Sequence, residues 1–234
     1  MKKKNILCTI CARRGSKGLK NKNILKLLGK PLIHHTIAQA KRVKSISKIV
    51  ISTNSKKILN LTKNKVDLCI KRPEKFSNDK ASKIDAIKHA LLASEKNFKR
   101  NFDVIIDLDV TSPLRNKKDI TTALKTFLKK KTGNLVSGHN SRRNPYFNQV
   151  MYKKKSLKIV CEPKRKINRR QDAPIIFDLN ASIYIWQRYS LINSKKLINK
   201  RTIFFKMPYE RSIDIDDKLD FIIVEHIMSK KLNR

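Results

Sequence analysis

The stretch Ile6–Asn23, ILCTICARRGSKGLKNKN, decides how the rest of the chain is read. Its first part, Ile6-Leu7-Cys8-Thr9-Ile10-Cys11-Ala12, is an apolar run rich in β-formers and bounded by polar residues, the pattern of a buried strand. The strand runs into Arg13-Arg14-Gly15-Ser16-Lys17-Gly18 and then Lys22-Asn23. Glycines let backbone N–H groups approach a phosphate, and Arg and Lys neutralise its charge, so one reading is an anion cradle. The other reading of the same residues is an ordinary βα turn with solvated lysines.

The composition has to be weighed against that second reading. The 234 residues carry 56 Lys and Arg against 18 Asp and Glu, a formal net charge of +38, with 40% apolar residues to form a core. Nucleic acid is the obvious partner for such a charge. The cations are nevertheless spread along the whole chain, most are Lys, and Asn and Ile are abundant too, as codon drift in an AT-rich genome would produce. Aromatic residues are only 6%, with no basic-aromatic platform for stacking single-stranded bases. No stretch reaches the length of a membrane span, and Met1-Lys2-Lys3-Lys4-Asn5 leads directly into the strand with no secretory pattern, so a cytoplasmic protein is expected. Cys8 and Cys11 form a CxxC inside the strand. Their odd spacing turns them to opposite faces, which is wrong for chelation, and the cysteines read as core thiols of a reducing compartment. The histidines show no metal-ligand spacing.

Outward from the first strand, apolar periodicity predicts a helix over Leu32–Val43, a strand over Ile46–Thr53, a helix over Lys56–Lys65 and a strand over Asp67–Ile70. A loop through Lys71–Asp79 follows, and Ser82 opens a helix with Asp85 as its capping partner. Asp103–Asp109 is a strand, Asp119–Lys130 a helix and Asn134–Gly138 a strand. This alternation predicts an α/β fold, a Rossmann-like, doubly wound, mostly parallel sheet, whose site lies at the carboxyl ends of the strands. The loops at 13–23, 72–82 and 109–115 then surround one crevice. The region 140–175 breaks the pattern with short β-like pieces at Tyr146–Tyr152 and Leu157–Cys161, and reads as an inserted arm within a single domain of residues 1–234. Strands are expected over Ala181–Trp186 and Thr202–Met207, and a final helix over Lys218–Lys230 with Leu219, Ile222, Ile223 and Ile227 inward.

Two carboxylate pairs carry chemistry. Asp214 and Asp216 flank one residue of an extended segment, so both face one side, about 7 Å apart at the backbone. Such a pair can hold Mg²⁺ and leave places for phosphate and water; its bland counterpart is a solvated edge followed by Asp217 as a helix cap. Asp107 and Asp109 share the spacing inside an apolar strand, where an acid needs a partner; Arg13, Arg14 or Lys22 are the candidates. There is no GxSxG, no Cys/His pair, no Walker motif and no GxGxxG. Cations, a phosphate-compatible loop and an Asp pair suit nucleotidyl transfer, which works by positioning and charge neutralisation.

At Ala12-Arg13-Arg14-Gly15-Ser16-Lys17-Gly18 and Lys22-Asn23 the chain resembles the AR-x-x-SKG-x-x-x-KN motif of the acylneuraminate cytidylyltransferases, the CMP-sialic acid synthetases. The resemblance continues in order through Arg72-Pro73, Ala81-Ser82, Leu108–Arg115, Arg143-Asn144-Pro145-Tyr146-Phe147, Arg170-Gln171-Asp172, Asn180-Ala181-Ser182-Ile183-Tyr184 and Ser212–Asp216. It implies a nucleotidyltransferase-type sheet and transfer of CMP from CTP to the anomeric hydroxyl of a nine-carbon α-keto acid sugar, with release of pyrophosphate. It also implies that Arg13, Ser16, Lys17 and Lys22 hold the phosphates, with Arg13 and Lys22 nearest the reacting phosphorus, and that Asn23, Arg72 and Ser82 contact base and ribose. Gln171, Asn180 and Tyr184 would line the sugar pocket, Arg170 would pair with the sugar carboxylate, and Asp214 and Asp216 would bind Mg²⁺, one of them helping to deprotonate the hydroxyl. The arm resembles the family's dimerisation insert, which reaches into the neighbouring subunit, and implies a homodimer.

Two departures mark this chain. Arg14 stands where many relatives carry Gly. Asp109 stands in Leu108-Asp109-Val110-Thr111-Ser112-Pro113 where sialic acid enzymes read LQPTSP, a form similar to the branch acting on legionaminic acid. Asp109 is therefore expected to contact the sugar or to add a metal ligand. The alternatives are a cytidylyltransferase for the eight-carbon sugar Kdo, whose loop motif differs, a basic nucleic-acid-binding protein, and an inactive paralogue.

Overall fold

In the computed structural model, which describes residues 4–15, 18–78, 81–162 and 167–232, the opening apolar run is strand β1 (Ile6–Cys11). β2 (Lys26–Leu27) and β3 (Lys30–Pro31) form a minimal hairpin whose turn, Leu28-Gly29, has φ of +47° and +76°, the positive values that a tight two-residue turn requires. The alternation then proceeds through α1 (Leu32–Lys41), β4 (Lys48–Thr53), α2 (Lys56–Thr62), β5 (Leu68–Lys71), α3 (Lys83–Phe98), β6 (Val104–Leu108), α4 (Lys117–Lys130) and β7 (Asn134–Asn140). Local signals set the helix starts. Ser82 Oγ accepts from the Asp85 N–H at α3, and Asn116 with Asp119 forms a reciprocal capping box at α4.

After β7 the chain leaves the sheet. Asn144–Gln149 is a turn rather than the expected strand, because the Asn144 carbonyl accepts the N–H groups of Phe147, Asn148 and Gln149. The exposed hairpin of β8 (Val150–Lys153) and β9 (Ser156–Ile159) follows. The chain returns as the long β10 (Phe177–Gln187), then α5 (Arg188–Asn193), β11 (Thr202–Lys206) and α6 (Lys218–Leu232).

The main sheet has seven strands in the order β11-β7-β10-β6-β1-β4-β5. β10 enters antiparallel between β6 and β7, and the other pairings are parallel. Both faces are covered, as parallel sheets require. Ile6, Cys8 and Ile10 of β1 pack in one apolar cluster with Ile37 of α1, Phe127 of α4 and Val224 of α6, while Leu7 packs in the other with Ile87 and Leu91 of α3 and with Trp186. Cys8 and Cys11 therefore do point to opposite faces, and burial pushes both thiols above their ordinary range. No helix among the described residues is long and apolar enough to cross a membrane.

One expectation about the core is corrected. Leu219, Ile222 and Ile223 of α6 are exposed, and Val224, Phe221, Ile227 and Met228 supply the inward contacts. The helix is apolar on more than one side, so its periodicity does not set its phase. The preceding Ile215, fully buried, and Ile213 anchor the segment and fix which side of α6 turns in.

Candidate active site

The C-terminal ends of β1, β5 and β6 open into a crevice of about 610 Å³. The three expected loops line it together: Arg13, Gly18, Lys22 and Asn23 from the first, Arg72, Asn78 and Ser82 from the second, Asp109 and Thr111 from the third, with Asp214 and Asp216 opposite. Ser16 and Lys17 lie outside the described residues.

The first loop is shaped by its glycines. Gly15 takes φ +83°, and a Cβ on Gly18 would come within 3.0 Å of the Asp216 carbonyl oxygen, so only glycine lets the loop lie against the acidic segment. Asn23 Nδ2 donates to the Arg13 carbonyl at 3.2 Å and folds the loop back on itself. Arg14 turns away from the crevice, with its backbone N–H donating to Asn54 Oδ1 at 2.7 Å. Lys22 is nearly buried and its Nζ donates to Asp216 Oδ1 at 2.9 Å. Arg13 reaches Asn78 O at 3.4 Å, bridging the first and second loops. In the second loop Arg72 is buried and donates to Ser77 Oγ at 3.1 Å, and the Ser82 hydroxyl donates to Asp85 Oδ2 at 2.7 Å.

The acidic segment is held by backbone. The Ile215 N–H donates to Thr111 O at 2.9 Å, which ties it to the turn after β6. Asp220 Oδ2 accepts the N–H groups of Asp216 and Asp217, while Asp217 Oδ1 accepts that of Asp220, so Asp217 caps α6 as expected. Asp216 is exposed to the crevice mouth; Asp214 is sunk, and its Oδ1 is buried with no hydrogen-bond partner. Burial, and then the neighbouring Asp109 charge, push the Asp214 carboxyl up to about 6. A buried oxygen with an empty lone pair beside a second carboxylate fits a hard divalent cation that completes its shell with phosphate and water. Among the described residues no group of three or more His, Cys, Asp or Glu is placed to hold a metal by protein ligands alone.

The partner of Asp107 and Asp109 is none of the three cations named from sequence. It is Lys83, on the first turn of α3, with Nζ 2.5 Å from Asp109 Oδ2 and 3.3 Å from Asp107 Oδ2. Arg13 and Lys22 are engaged with Asn78 and Asp216, and Arg14 with Asn54 through its backbone N–H, whereas the Lys83 side chain reaches from the first turn of α3 to the acids of β6. Burial alone would lower the Lys83 ammonium, but the Asp109 and Asp107 charges outweigh it and hold the group protonated. Burial would likewise raise Asp109, yet Lys83 and the Thr111 hydrogen bonds pull it down. Asp107 is fully buried, accepts from Thr9 Oγ1 at 2.7 Å, and burial pushes it up. Asp109 Oδ1 accepts both the N–H and the hydroxyl of Thr111, so its oxygens are largely engaged within the fold. Lys83 carries no motif; only its place one residue after the N-cap Ser82 hinted at it.

Of the expected sugar residues this chain brings Asp109 and Tyr184 together at Lys83, while Arg170, Gln171 and Asn180 lie elsewhere. Asn180 is buried at a bulge of β10 where Ala181 takes φ +51°. Its Oδ1 accepts from Ser137 Oγ and the Ser182 N–H, and its Nδ2 donates to Ser212 Oγ at 2.9 Å, so the amide ties β7 and β10 to the segment that leads to Asp214. Tyr184 is buried beneath Lys83, whose ammonium sits 4.8 Å from the ring centre. Arg170 and Gln171 line a separate hollow of about 190 Å³ beside Asn140 and Asn144, where Arg170 donates to the Arg142 carbonyl at 3.1 Å.

A parallel sheet with a glycine-shaped cationic loop at one strand end and a carboxylate pair across from it defines a nucleotidyltransferase-type enzyme. The cytidylyltransferase family model matches residues 7–231, and the chain belongs to that family. It is 42% identical to the post-translational flagellin modification protein B of Campylobacter coli, over 97% of this chain and 96% of that one. It is also 42% identical, with the same coverage, to the CMP-N,N'-diacetyllegionaminic acid synthase of Campylobacter jejuni. Against the N-acylneuraminate cytidylyltransferase of Escherichia coli O18:K1:H7 the identity is 30% over 97% of this chain and 52% of the longer relative. Among solved structures, a CMP:2-keto-3-deoxy-manno-octonic acid synthetase complexed with CTP superposes with a TM-score of 0.70 at 18% identity, covering 97% of this chain and 99% of that one, a likeness of fold.

Proposed function

We propose that this cytidylyltransferase transfers CMP from CTP to the anomeric hydroxyl of a nine-carbon α-keto acid sugar of the legionaminic or sialic acid type, in the cytoplasm. The observation that carries the reading is the contact of the two halves of the crevice, with Lys22 Nζ 2.9 Å from Asp216 Oδ1 and Gly18 laid on the Asp216 backbone. The relatives at 42% identity, one of them named for a CMP-legionaminic acid synthase, support the sugar class.

In this reading Arg13 and Lys22 face the triphosphate, with Ser16 and Lys17 of the same loop. Asn23, Arg72 and Ser82 take base and ribose. The anomeric oxygen attacks the α-phosphorus, the bond to the bridging oxygen breaks, and pyrophosphate leaves with its charge met by Arg13 and Lys22. Asp216, exposed at the mouth, accepts the hydroxyl proton. Asp214 and Asp216 are the residues that would hold Mg²⁺, which supplies charge neutralisation at the phosphates.

The exposed β8–β9 hairpin supports a single domain of residues 1–234 carrying an arm at 140–175 that pairs with a second copy. An isolated hairpin is marginal in water, and Val150, Tyr152 and Leu157 on it are exposed apolar groups. A homodimer would bring Arg170 and Gln171 to the partner's crevice. Pyrophosphate release from CTP is the test, with N,N'-diacetyllegionaminic acid, N-acetylneuraminic acid and Kdo offered in turn, in Mg²⁺ or in EDTA. Release with a nine-carbon acid in Mg²⁺ is expected; release with Kdo alone, or with no sugar, overturns the reading.

A further inference from the structure

Lys83 is an ammonium where ordinary rules disfavour one. It lies on the first turn of α3, at the positive end of the helix. Its side chain is 31% exposed, and that exposure is to the crevice it lines. Asp109 Oδ2 takes one N–H, and Asp107 Oδ2 lies at 3.3 Å with no hydrogen bond to it. Tyr184 sits 4.8 Å away on the ring-face side. An ammonium has three donors, so two carboxylates and a ring fix its position without consuming its capacity.

Its place across the sheet also matters. The cations of the first loop stand at the end of β1, where the triphosphate is proposed. Lys83 stands over β6 and β10, one and two strands nearer β7, from which the 140–175 arm departs. Charge then decides what it can meet. Lys83 and the buried Arg115 stand against Asp107 and Asp109, and the four charges sum to zero, so this corner has no excess positive charge with which to draw a phosphate or a carboxylate. It can offer a strong hydrogen bond to a neutral oxygen.

We propose that Lys83 donates a hydrogen bond to a neutral polar group of the acceptor sugar, a hydroxyl or an acylamido oxygen, and that Asp109 and Tyr184 hold it in place to do so. The inference rests on the sugar-transfer reading above. It makes Asp109, which stands in place of glutamine, a support for Lys83 rather than an added metal ligand.

The test is steady-state kinetics of Lys83→Met and of Lys83→Met/Asp107→Asn, with CTP and N,N'-diacetyllegionaminic acid varied separately. The double variant removes one cation and one acid together and so leaves the net charge of the corner unchanged; Asp107 is fully buried and does not touch the sugar itself. A charge-assisted hydrogen bond lost from the sugar raises its KM about 10- to 100-fold, with the KM for CTP changed less than about threefold, in both variants. Should Lys83→Met fail to fold, the charge-balanced double variant gives the same readout. A sugar KM that returns to the wild-type value in the double variant reduces Lys83 to a counter-charge and overturns the proposal, as does an unchanged sugar KM in Lys83→Met. A wild-type enzyme silent with every nine-carbon acid overturns the function reading and this inference together.

Discussion

Replacing Gly18 by Ala tests whether the loop and the acidic segment act as one unit. The added Cβ would meet the Asp216 backbone carbonyl oxygen inside 3.0 Å, where ordinary contact begins at 3.4 Å. No flexible side chain can yield there. The Asp216 backbone is fixed by Asp220 Oδ2 at 2.9 Å and its neighbour Ile215 by Thr111. The loop must therefore retreat by about 1 Å, and a misplacement of that size costs about 100-fold in rate, or about 2.7 kcal/mol of transition-state stabilisation. The stability cost is that of overpacking, about 1–3 kcal/mol, and falls at the low end because the loop is at the surface. Gly15→Ala is the control: its Cβ meets nothing within 4 Å, and the cost is the +83° backbone alone, about 1–2 kcal/mol. Pyrophosphate release kinetics and thermal unfolding of both variants give the comparison. A Gly18→Ala enzyme within threefold of wild type in kcat/KM refutes the argument that Gly18 sets the register between Lys22 and Asp216.

Lys22→Ala should lower kcat by about 10²–10³, the usual loss of one preorganised charge donor, while Lys44→Ala, an exposed lysine off the site, changes it less than about twofold; equal effects would return Lys22 to the general lysine excess. Asp214, held at about 6 against an ordinary 3.8, keeps a proton in the folded state that the unfolded chain releases. Its contribution therefore lowers stability as pH rises from about 4 to 6 and is constant above. In EDTA, Asp214→Asn should match wild type near pH 4 and exceed it at pH 8 by up to about 3 kcal/mol, read by urea unfolding; a difference independent of pH contradicts the assignment. Arg115 is buried and donates to Ser182 O and Oγ, Gln39 Oε1 and Asp109 O. Arg115→Lys cannot span these acceptors and should cost about 2–4 kcal/mol, with Tm unchanged if the guanidinium is not a brace.

The fold was legible because its signals are local. Apolar runs at β1 and β6, the Ser82 cap and the alternation with helices leave few topologies. The three loops met at one crevice because strand direction alone places them there. What stayed hidden depended on contacts between distant parts. No pattern distinguishes Lys83 from the other lysines, since its partners lie 24 and 26 residues away on another element. The phase of α6 is set by the burial of Ile215 in front of it, and a helix apolar on several sides does not carry that information. The resemblance alone places Asn180 in the sugar pocket, and a motif does not show which groups an amide bonds. Besides Ser182 on its own strand, its partners Ser137 and Ser212 come from distant segments.

The net charge of +38 misdescribes the site most of all. Cations outnumber acids by 56 to 18 in the chain, yet the crevice and its floor bring Asp107, Asp109, Asp214 and Asp216 against Arg13, Lys22, Arg72 and Lys83. Compositional drift toward lysine accounts for a basic surface and cannot assemble this balance of acid and base. Lys22 and Lys83 already stand opposite carboxylates, so in the proposed transfer a triphosphate would have to compete with Asp216 for Lys22. In the proposed transfer Asp214 and Asp216 are the residues that would hold a divalent ion, whose charge would be offered to the phosphates beside that of Lys22. The lysine that looked like one of many in Ile6–Asn23 is thus fixed by Asp216 across the crevice, a specific partner that a general lysine excess would not give it.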